Sequence, residues 1–249
     1  PILTAETHNH PCLIAPYPGG ATGTGGMLRD MFAVGRGGMV LTTAAGYCTD
    51  NLHLPGHSIP GEDGWRNNPA NATPLDIIIE ASNGPSDYGN CIGTPITYGF
   101  TRTFGTEVGG KRRGWFKPIM YAAGLGQMDD EHSQAEDSAK GMLVVHLGGP
   151  GYRIGVGGGA ASSMMGGENV EELDFNSVQR GNPQMEQRLK RVFETCVFLG
   201  NRNPLKRICD QGAGGPGNAC TEIVEPAGAR YELRAFPVGD STLSPMEIW

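Results

Sequence analysis

Apolar positions along this chain fall in short runs broken by glycine and proline, and the runs predict short elements rather than long stripes. The opening TAETHNH (residues 4–10) alternates as a strand does, which would put Glu6, His8 and His10 on one face and Asn9 on the other. GGATGTGG (19–26) then reads as a loop, with a helix starting near Met27. Thr73 suits an N-cap for PLDIIIEA (74–81); helix is the expectation, although Ile77, Ile78 and Ile79 also permit a strand. ITYGFTRTF (96–104) and WFKPIMYAAG (115–124) read as strands. The polar, acidic DDEHSQAEDSAK (129–140) reads as a loop or linker. From residue 141 the pattern becomes apolar strand, glycine loop, helix. MLVVHLGG (142–149) reads as a buried strand, and YRIGV (152–156) as another leading into GGGAASSMM (157–165). Asn182 and Pro183 open the clearest helix, with Met185, Leu189, Val192, Phe193, Cys196 and Val197 on one face and Gly200 where a C-terminal cap belongs. RICDQGAGGPGNACTEIV (207–224) reads as a strand to Asp210, a glycine loop and a helix to about Val224. Two domains follow from the change of pattern, residues 1–138 and 139–249.

Composition sharpens this in one respect. The 249 residues include 40 glycines, far above the ordinary share of roughly 7%. They are clustered, which points to turns and close backbone approaches. A formal net charge of -7 gives no footprint for nucleic acid, and Lys111, Arg112 and Arg113 read as an exposed hairpin tip. Six scattered cysteines without a CxxC pair fit reduced thiols in a cytoplasmic protein. No run approaches the length of a membrane span and no signal peptide opens the chain. A first residue of Pro1 and an ending at SPMEIW suggest a piece of a longer protein.

The candidate chemistry sits mostly in residues 4–30. Glycines 19, 20, 23, 25 and 26 would let backbone N–H groups converge on an anion, and a helix N-terminus would add its positive end. Thr22 and Thr24 offer hydroxyls, Arg29 a bidentate phosphate clamp, and Asp30 a hard oxygen for Mg²⁺. A glycine-rich turn before an ordinary helix is the plain alternative; Glu6 ahead and Arg29-Asp30 behind favour phosphate. Glu6, His8 and His10 fit either zinc ligation or a general base beside a Mg²⁺-bound phosphate. Asn9 suits a polar substrate group. Asp210, at a strand end beside GAGG, suits a metal or a cap equally. Glu247 reads as an exposed carboxylate, and His53, His57, His132 and His146 as loop or core residues.

ETHNHP, ATGTGGMLRD, GRGG, LGGPGYRIGVGGGAASSM, DFNSVQRGNPQME, CDQGAGGPGNA and LSPMEIW, in this order, resemble the large, single-chain phosphoribosylformylglycinamidine synthases. The resemblance runs from the first residues to the last and covers the first of that family's two synthetase halves. It implies an α/β fold of the superfamily shared with aminoimidazole ribonucleotide synthetase. In that fold an N-terminal domain helps build a barrel with its pseudo-twofold mate, and a C-terminal α/β domain follows. It implies ATP-dependent amidation of formylglycinamide ribonucleotide, with ammonia delivered from a glutaminase domain absent here. The other half, or a second copy of this chain, would be the partner. Carried over by motif, His8 is the catalytic histidine; Glu6, Asp30 and Asp210 are Mg²⁺ ligands; Thr7, Asn9, His10, Arg29 and Gln179 are substrate contacts. Gly19, Gly20, Ala21, Thr22, Gly23, Thr24, Gly25, Gly26 and Asp30 form the ATP phosphate loop. The sequence departs from the family at Thr4 and Ala5, where Lys-Val is usual, and at Met27, a position often acidic. The family's Glu-Ser-Gln segment would fall beyond Trp249. Other readings are another ATP-using member of the superfamily, a non-catalytic homologue, and a zinc hydrolase built on His8 and His10.

Overall fold

A computed structural model describes residues 1–153, 174–175, 177–212 and 214–249. Its elements are β1 (Ile2–Thr7), α1 (Asn9–Ile14), α2 (Pro16–Phe32), β2 (Met39–Thr49), α3 (Pro74–Ile92), β3 (Ile96–Thr103), β4 (Gly105–Val108), β5 (Lys111–Gly114) and β6 (Ile119–Gln127). Then come α4 (Pro183–Phe198), α5 (Gly215–Ile223) and the one-turn α6 (Pro245–Ile248). Four strands form a sheet in the order β1-β6-β2-β3, with β2 and β3 parallel across the α3 crossover and the other pairings antiparallel.

Helices α2 and α3 cover one sheet face. Met27, Leu28, Met31 and Phe32 of α2 are fully buried against Ile2, Tyr47, Met120 and Ala122 of the strands and Ile77, Ala81, Tyr88 and Ile92 of α3. Phe193 of α4 joins this core, so the C-terminal part docks onto α3 and α2.

The local reading needs correcting at α2. The expected glycine loop followed by a helix near Met27 is one helix from Pro16 onward, and the bond from the Gly19 amide to the Ala15 carbonyl (2.9 Å) already belongs to it. Five glycines inside a helix cost about 1 kcal/mol each relative to alanine. Their surroundings explain them. A Cβ on Gly20 would lie 2.4 Å from the Ala81 carbonyl oxygen of α3, and one on Gly84 of α3 would lie 2.2 Å from the Tyr17 carbonyl oxygen of α2. The two backbones touch, and glycine is what lets them.

The other differences have simple causes. β1 ends at Thr7, so His8 flanks α1 and His10 lies inside it, not on an alternating strand. Residues 142–149 form no strand, and Leu143 is 88% exposed. Residues 207–210 are likewise irregular. Neither run finds a pairing strand among the described residues, and a lone strand has no ladder to hold it. The run 157–165 and most of 152–156 lie outside the described residues. Helices α3, α4 and α5 form where expected: Thr73 accepts from the Asp76 amide, Asn182 from the Met185 amide, and Gly200 follows α4 with φ +56°. The basic run sits in the β4–β5 hairpin, but Arg112 turns inward, donating to Asp50 (2.6 Å) and ion-paired with Asp63 (2.8 Å) beneath Trp65.

Helix propensity alone says that Gly20→Ala should stabilise α2. The contact with Ala81 reverses the sign: Gly20→Ala is expected to lose about 1–3 kcal/mol through overpacking. Gly64, with open space around it, should tolerate alanine. Thermal unfolding of both variants checks this, and equal melting temperatures would count against the backbone contact.

Candidate functional site

The chain reversal between β1 and α1 places His8 against α2. Its amide donates to the Met120 carbonyl (2.9 Å), and its ring Nδ1 donates to the Gly19 carbonyl (2.6 Å). That bond places the ring proton on Nδ1 and leaves the Nε2 lone pair available. Burial lowers the pKa of His8, which keeps the imidazole neutral near pH 7; the Gly19 bond opposes this, and Arg29 and His10 add to it. The approach depends on Gly23, where a Cβ would stand 2.7 Å from His8 Cβ.

Around His8 the fold gathers carboxylates. Glu6, next to last in β1, faces α2, and a Cβ on Gly26 would lie 3.1 Å from its Oε1. Arg29 and Asp30 come from the last turns of α2. Arg29 Nε lies 3.3 Å from Asp210 Oδ2, an ion pair with both side chains about a third exposed. Burial, then the charge of and a hydrogen bond to Asp210, then Glu6, push Asp30 up to about 7. Glu6 is also raised, by burial foremost and by Asp210, against the pull of Arg29. Glu6, Arg29, Asp30 and Asp210 are thus brought together as expected, from three separate stretches of chain. The three carboxylates do not close into a triplet with ligand atoms all within 4.8 Å; among the described residues only Asp129, Glu131 and His132 have that spacing.

Other expected residues land differently. Asn9 is tied to the backbone, its Oδ1 accepting from the Met120 amide (3.0 Å) and its Nδ2 reaching Thr7 Oγ1 (3.5 Å). Thr7 is exposed. His10 is 2% exposed and faces Asp174 at 3.6 Å, so it belongs to the buried wall behind His8 rather than to an open surface. The phosphate loop needs correction. Gly19, Gly20, Ala21, Thr22, Gly23, Thr24 and Gly25 are buried within α2, with their amides committed to the helix. Only Gly26 and Asp30 reach the carboxylate group. Thr22 instead bonds the segment that carries Gln179: its hydroxyl donates to the Gln179 carbonyl (2.9 Å) and accepts from the Gly181 amide (2.8 Å).

Glu186 was not singled out by motif. It lies in the first turn of α4, 8% exposed, and accepts from the Tyr88 hydroxyl. Among the described residues its Oε1 is buried without a hydrogen-bond partner, and burial raises the Glu186 carboxyl to about 7, with Arg29 and Asp30 in electrostatic reach. The signal was present in the sequence. Positions 186, 189, 193 and 197 share one helical face, and a glutamate on an apolar stripe needs a reason.

Comparison with known proteins finds relatives along the whole chain. Residues 139–249 match the family described as AIR synthase related protein, C-terminal domain. Over its whole length the chain is 54% identical to an Arabidopsis thaliana protein named probable phosphoribosylformylglycinamidine synthase, chloroplastic/mitochondrial. It is 50% identical to the Homo sapiens phosphoribosylformylglycinamidine synthase. It spans only 18% and 19% of the length of these two relatives. A solved structure described as T. maritima PurL complexed with FGAR superposes on 99% of the chain with a TM-score of 0.70 at 27% identity, the chain covering 35% of it. A second, described as complexed with ATP, gives 0.63 at 24% identity over 33% of its length, a likeness of fold. The resemblance carried by the motifs is therefore borne out along the entire chain, as is the α/β fold it implied.

The raised carboxyls set a pH dependence. A group held protonated in the fold stabilises fully below its unfolded value, near 4 for aspartate, and that contribution is lost as pH rises through its folded value. For Asp30 the folded value is about 7. His8 and His10, both lowered, slope the other way below their unfolded value of about 6.5. Comparing the parent with Asp30→Asn cancels the histidines. The variant's melting temperature should gain on the parent's as pH moves from about 5 to about 8; a difference that stays flat would mean that Asp30 is not held this way.

Proposed function

We propose that this chain is the substrate-binding part of a phosphoribosylformylglycinamidine synthase, which converts formylglycinamide ribonucleotide to its amidine with ATP and ammonia. The observation that carries the reading is the neutral His8, with one ring nitrogen fixed by Gly19 and the other available, beside Glu6, Arg29, Asp30 and Asp210. Amidation at an activated amide needs a base for the attacking amine, a cation for the phosphate, and relief of negative charge as phosphate leaves. His8 Nε2 takes the proton of the incoming ammonia. Arg29 exchanges its ion pair with Asp210 for a phosphate group of the substrate.

The donor set fits a hard cation. Carboxylates raised by burial and by a neighbouring negative charge, as Glu6 and Asp30 are, gain when a divalent ion neutralises them. Their spacing suits one or two carboxylates per ion, with phosphate oxygens and water completing the shell, which is the usual habit of Mg²⁺. Glu6, Asp30 and Asp210 would hold it. Bound there, Mg²⁺ would neutralise the phosphates of ATP during phosphoryl transfer. Thr7, Asn9 and Gln179 remain proposed substrate contacts, and His10 a support behind them.

The partners follow from the open face of the sheet. Leu3, Leu41, Tyr98 and Leu125 are exposed on the side away from α2 and α3, around cross-strand neighbours Ala5, Ala123 and Ala44. A second synthetase half, or a second copy of this chain, would cover it. Ammonia comes from a glutaminase domain outside these 249 residues. Six free cysteines favour a cytoplasmic setting, and no helix of the described residues is long and apolar enough to cross a membrane.

His8→Asn tests the reading in the complete gene product. Asparagine can still donate to Gly19, so the fold persists, but it has no base. The expected result is a loss of about 10²–10⁴ in kcat with little change in KM; retained turnover would remove His8 from the chemistry. A calorimetric titration with ATP, with and without Mg²⁺, tests the cation site. Magnesium-dependent binding should be lost in Asp30→Asn, and equal binding by the variant would place the cation elsewhere.

A further inference from the structure

We propose that Thr22 is a positioning residue for Gln179, acting through the backbone of residues 179–181 and touching neither nucleotide nor substrate. The inference rests on the proposed function in one respect, that Gln179 contacts the ribonucleotide.

A hydroxyl can donate once and accept at the same time. Thr22, 7% exposed on α2, does both to the two ends of one short segment: it donates to the Gln179 carbonyl (2.9 Å) and accepts from the Gly181 amide (2.8 Å). The segment is fixed on its other sides as well. Val178, just before it, is fully buried. Gly181 lies on the Tyr88 ring, where a Cβ would come within 3.0 Å, and Tyr88 in turn donates to Glu186 in the first turn of the following helix. Arg180 folds back, its guanidinium bonding the Val178 carbonyl (2.7 Å) and stacking 4.6 Å over Phe175. Gln179 is thus the half-buried side chain left on a segment whose backbone is held at both ends. No other side chain makes both bonds at this reach except serine. Valine keeps the shape of threonine and makes neither.

The test uses the complete gene product carrying Thr22→Val, Thr22→Ser, Gln179→Ala and the Thr22→Val/Gln179→Ala pair. Thr22→Val should raise KM for formylglycinamide ribonucleotide about tenfold or more while kcat stays within about threefold. Thr22→Ser should restore KM to within about twofold. In the Gln179→Ala background Thr22→Val should add nothing, because the residue it positions is gone. Hydrogen exchange at the Gly181 amide should quicken in Thr22→Val and stay slow in Thr22→Ser. An unchanged KM in Thr22→Val, or full additivity with Gln179→Ala, overturns the proposal. A serine variant as impaired as the valine variant also overturns it, by assigning the role to the methyl group. If the parent protein does not convert this ribonucleotide, the functional reading fails by itself. Gly181 exchange then decides the proposal's structural core, and equal exchange in parent and valine variant ends it.

Discussion

Everything near the candidate site depends on how closely α2 can be approached. Five of its seventeen residues are glycine, and each removes a Cβ at a different contact. Gly19 meets the backbone at Pro11 and Cys12, Gly20 the backbone of α3, Gly23 the His8 side chain, Gly25 the Tyr88 ring, and Gly26 the Glu6 carboxylate. Helix axes in proteins ordinarily stand 8–10 Å apart because side chains hold them there. Here the neighbours rest on the helix itself. That is why a carbonyl inside α2 can serve as acceptor for His8, and why the first and last parts of the described chain share one small region. The helical propensity given up at five glycines is offset by the burial of Met27, Leu28, Met31 and Phe32 on the same helix.

The same closeness produces the electrostatics. Glu6, Asp30, Glu186 and Asp210 come from four elements or loops, and one guanidinium, that of Arg29, acts on all of them. Several carboxylates near one arginine, partly removed from water, cannot all ionise at ordinary values. Asp30 and Glu186 are both pushed up to about 7. Such strain is tolerated where a ligand relieves it, and the phosphate-bearing substrate and cation proposed above would bring both a competing partner for Arg29 and positive charge for the acids. His8, neutral through burial, is left able to accept a proton in that field.

Much of this was legible because it lay in short, ordered motifs. Glu6, His8, Arg29 and Asp30 could be grouped from residue chemistry, Asp210 joined them only through the resemblance, and the fold brings them together. The glycines do mark a close approach, but to helix α3 and to side chains rather than to an anion-binding loop. A glycine cluster signals close backbone approach, but sequence alone does not say whether an anion or another helix does the approaching. Pro16, at the first turn of α2, was the clue to a helix beginning well before Met27. His10 was misplaced because a period of two was extended one turn past the end of β1. Residues 142–149 have the composition of a buried strand and are exposed, since strands, unlike helices, need neighbours to exist. Glu186 was hidden in plain view on an apolar stripe, where its meaning depends on Tyr88, 98 residues away.

The site's composition also bears on how it forms. His8 and Glu6 are set by contacts with α2 and β6. Gln179, Glu186 and Asp210 reach the site only when the segment before α4, α4 itself and the chain near Asp210 dock across α2 and α3. These long-range contacts bury Phe193, Val197 and Val178, pack Leu189, Leu205 and Ile208 against the core, and include polar links from Thr22 to residues 179–181, from Tyr88 to Glu186, and from Arg29 to Asp210. Polar contacts fix geometry more firmly than they contribute free energy. The proposed base is therefore built into the N-terminal layer, while Gln179, Glu186 and Asp210 are held in place by polar contacts that either form in register or do not form. In the chemistry proposed above, that division would keep His8 in position while the polar links set the place of Gln179, Glu186 and Asp210.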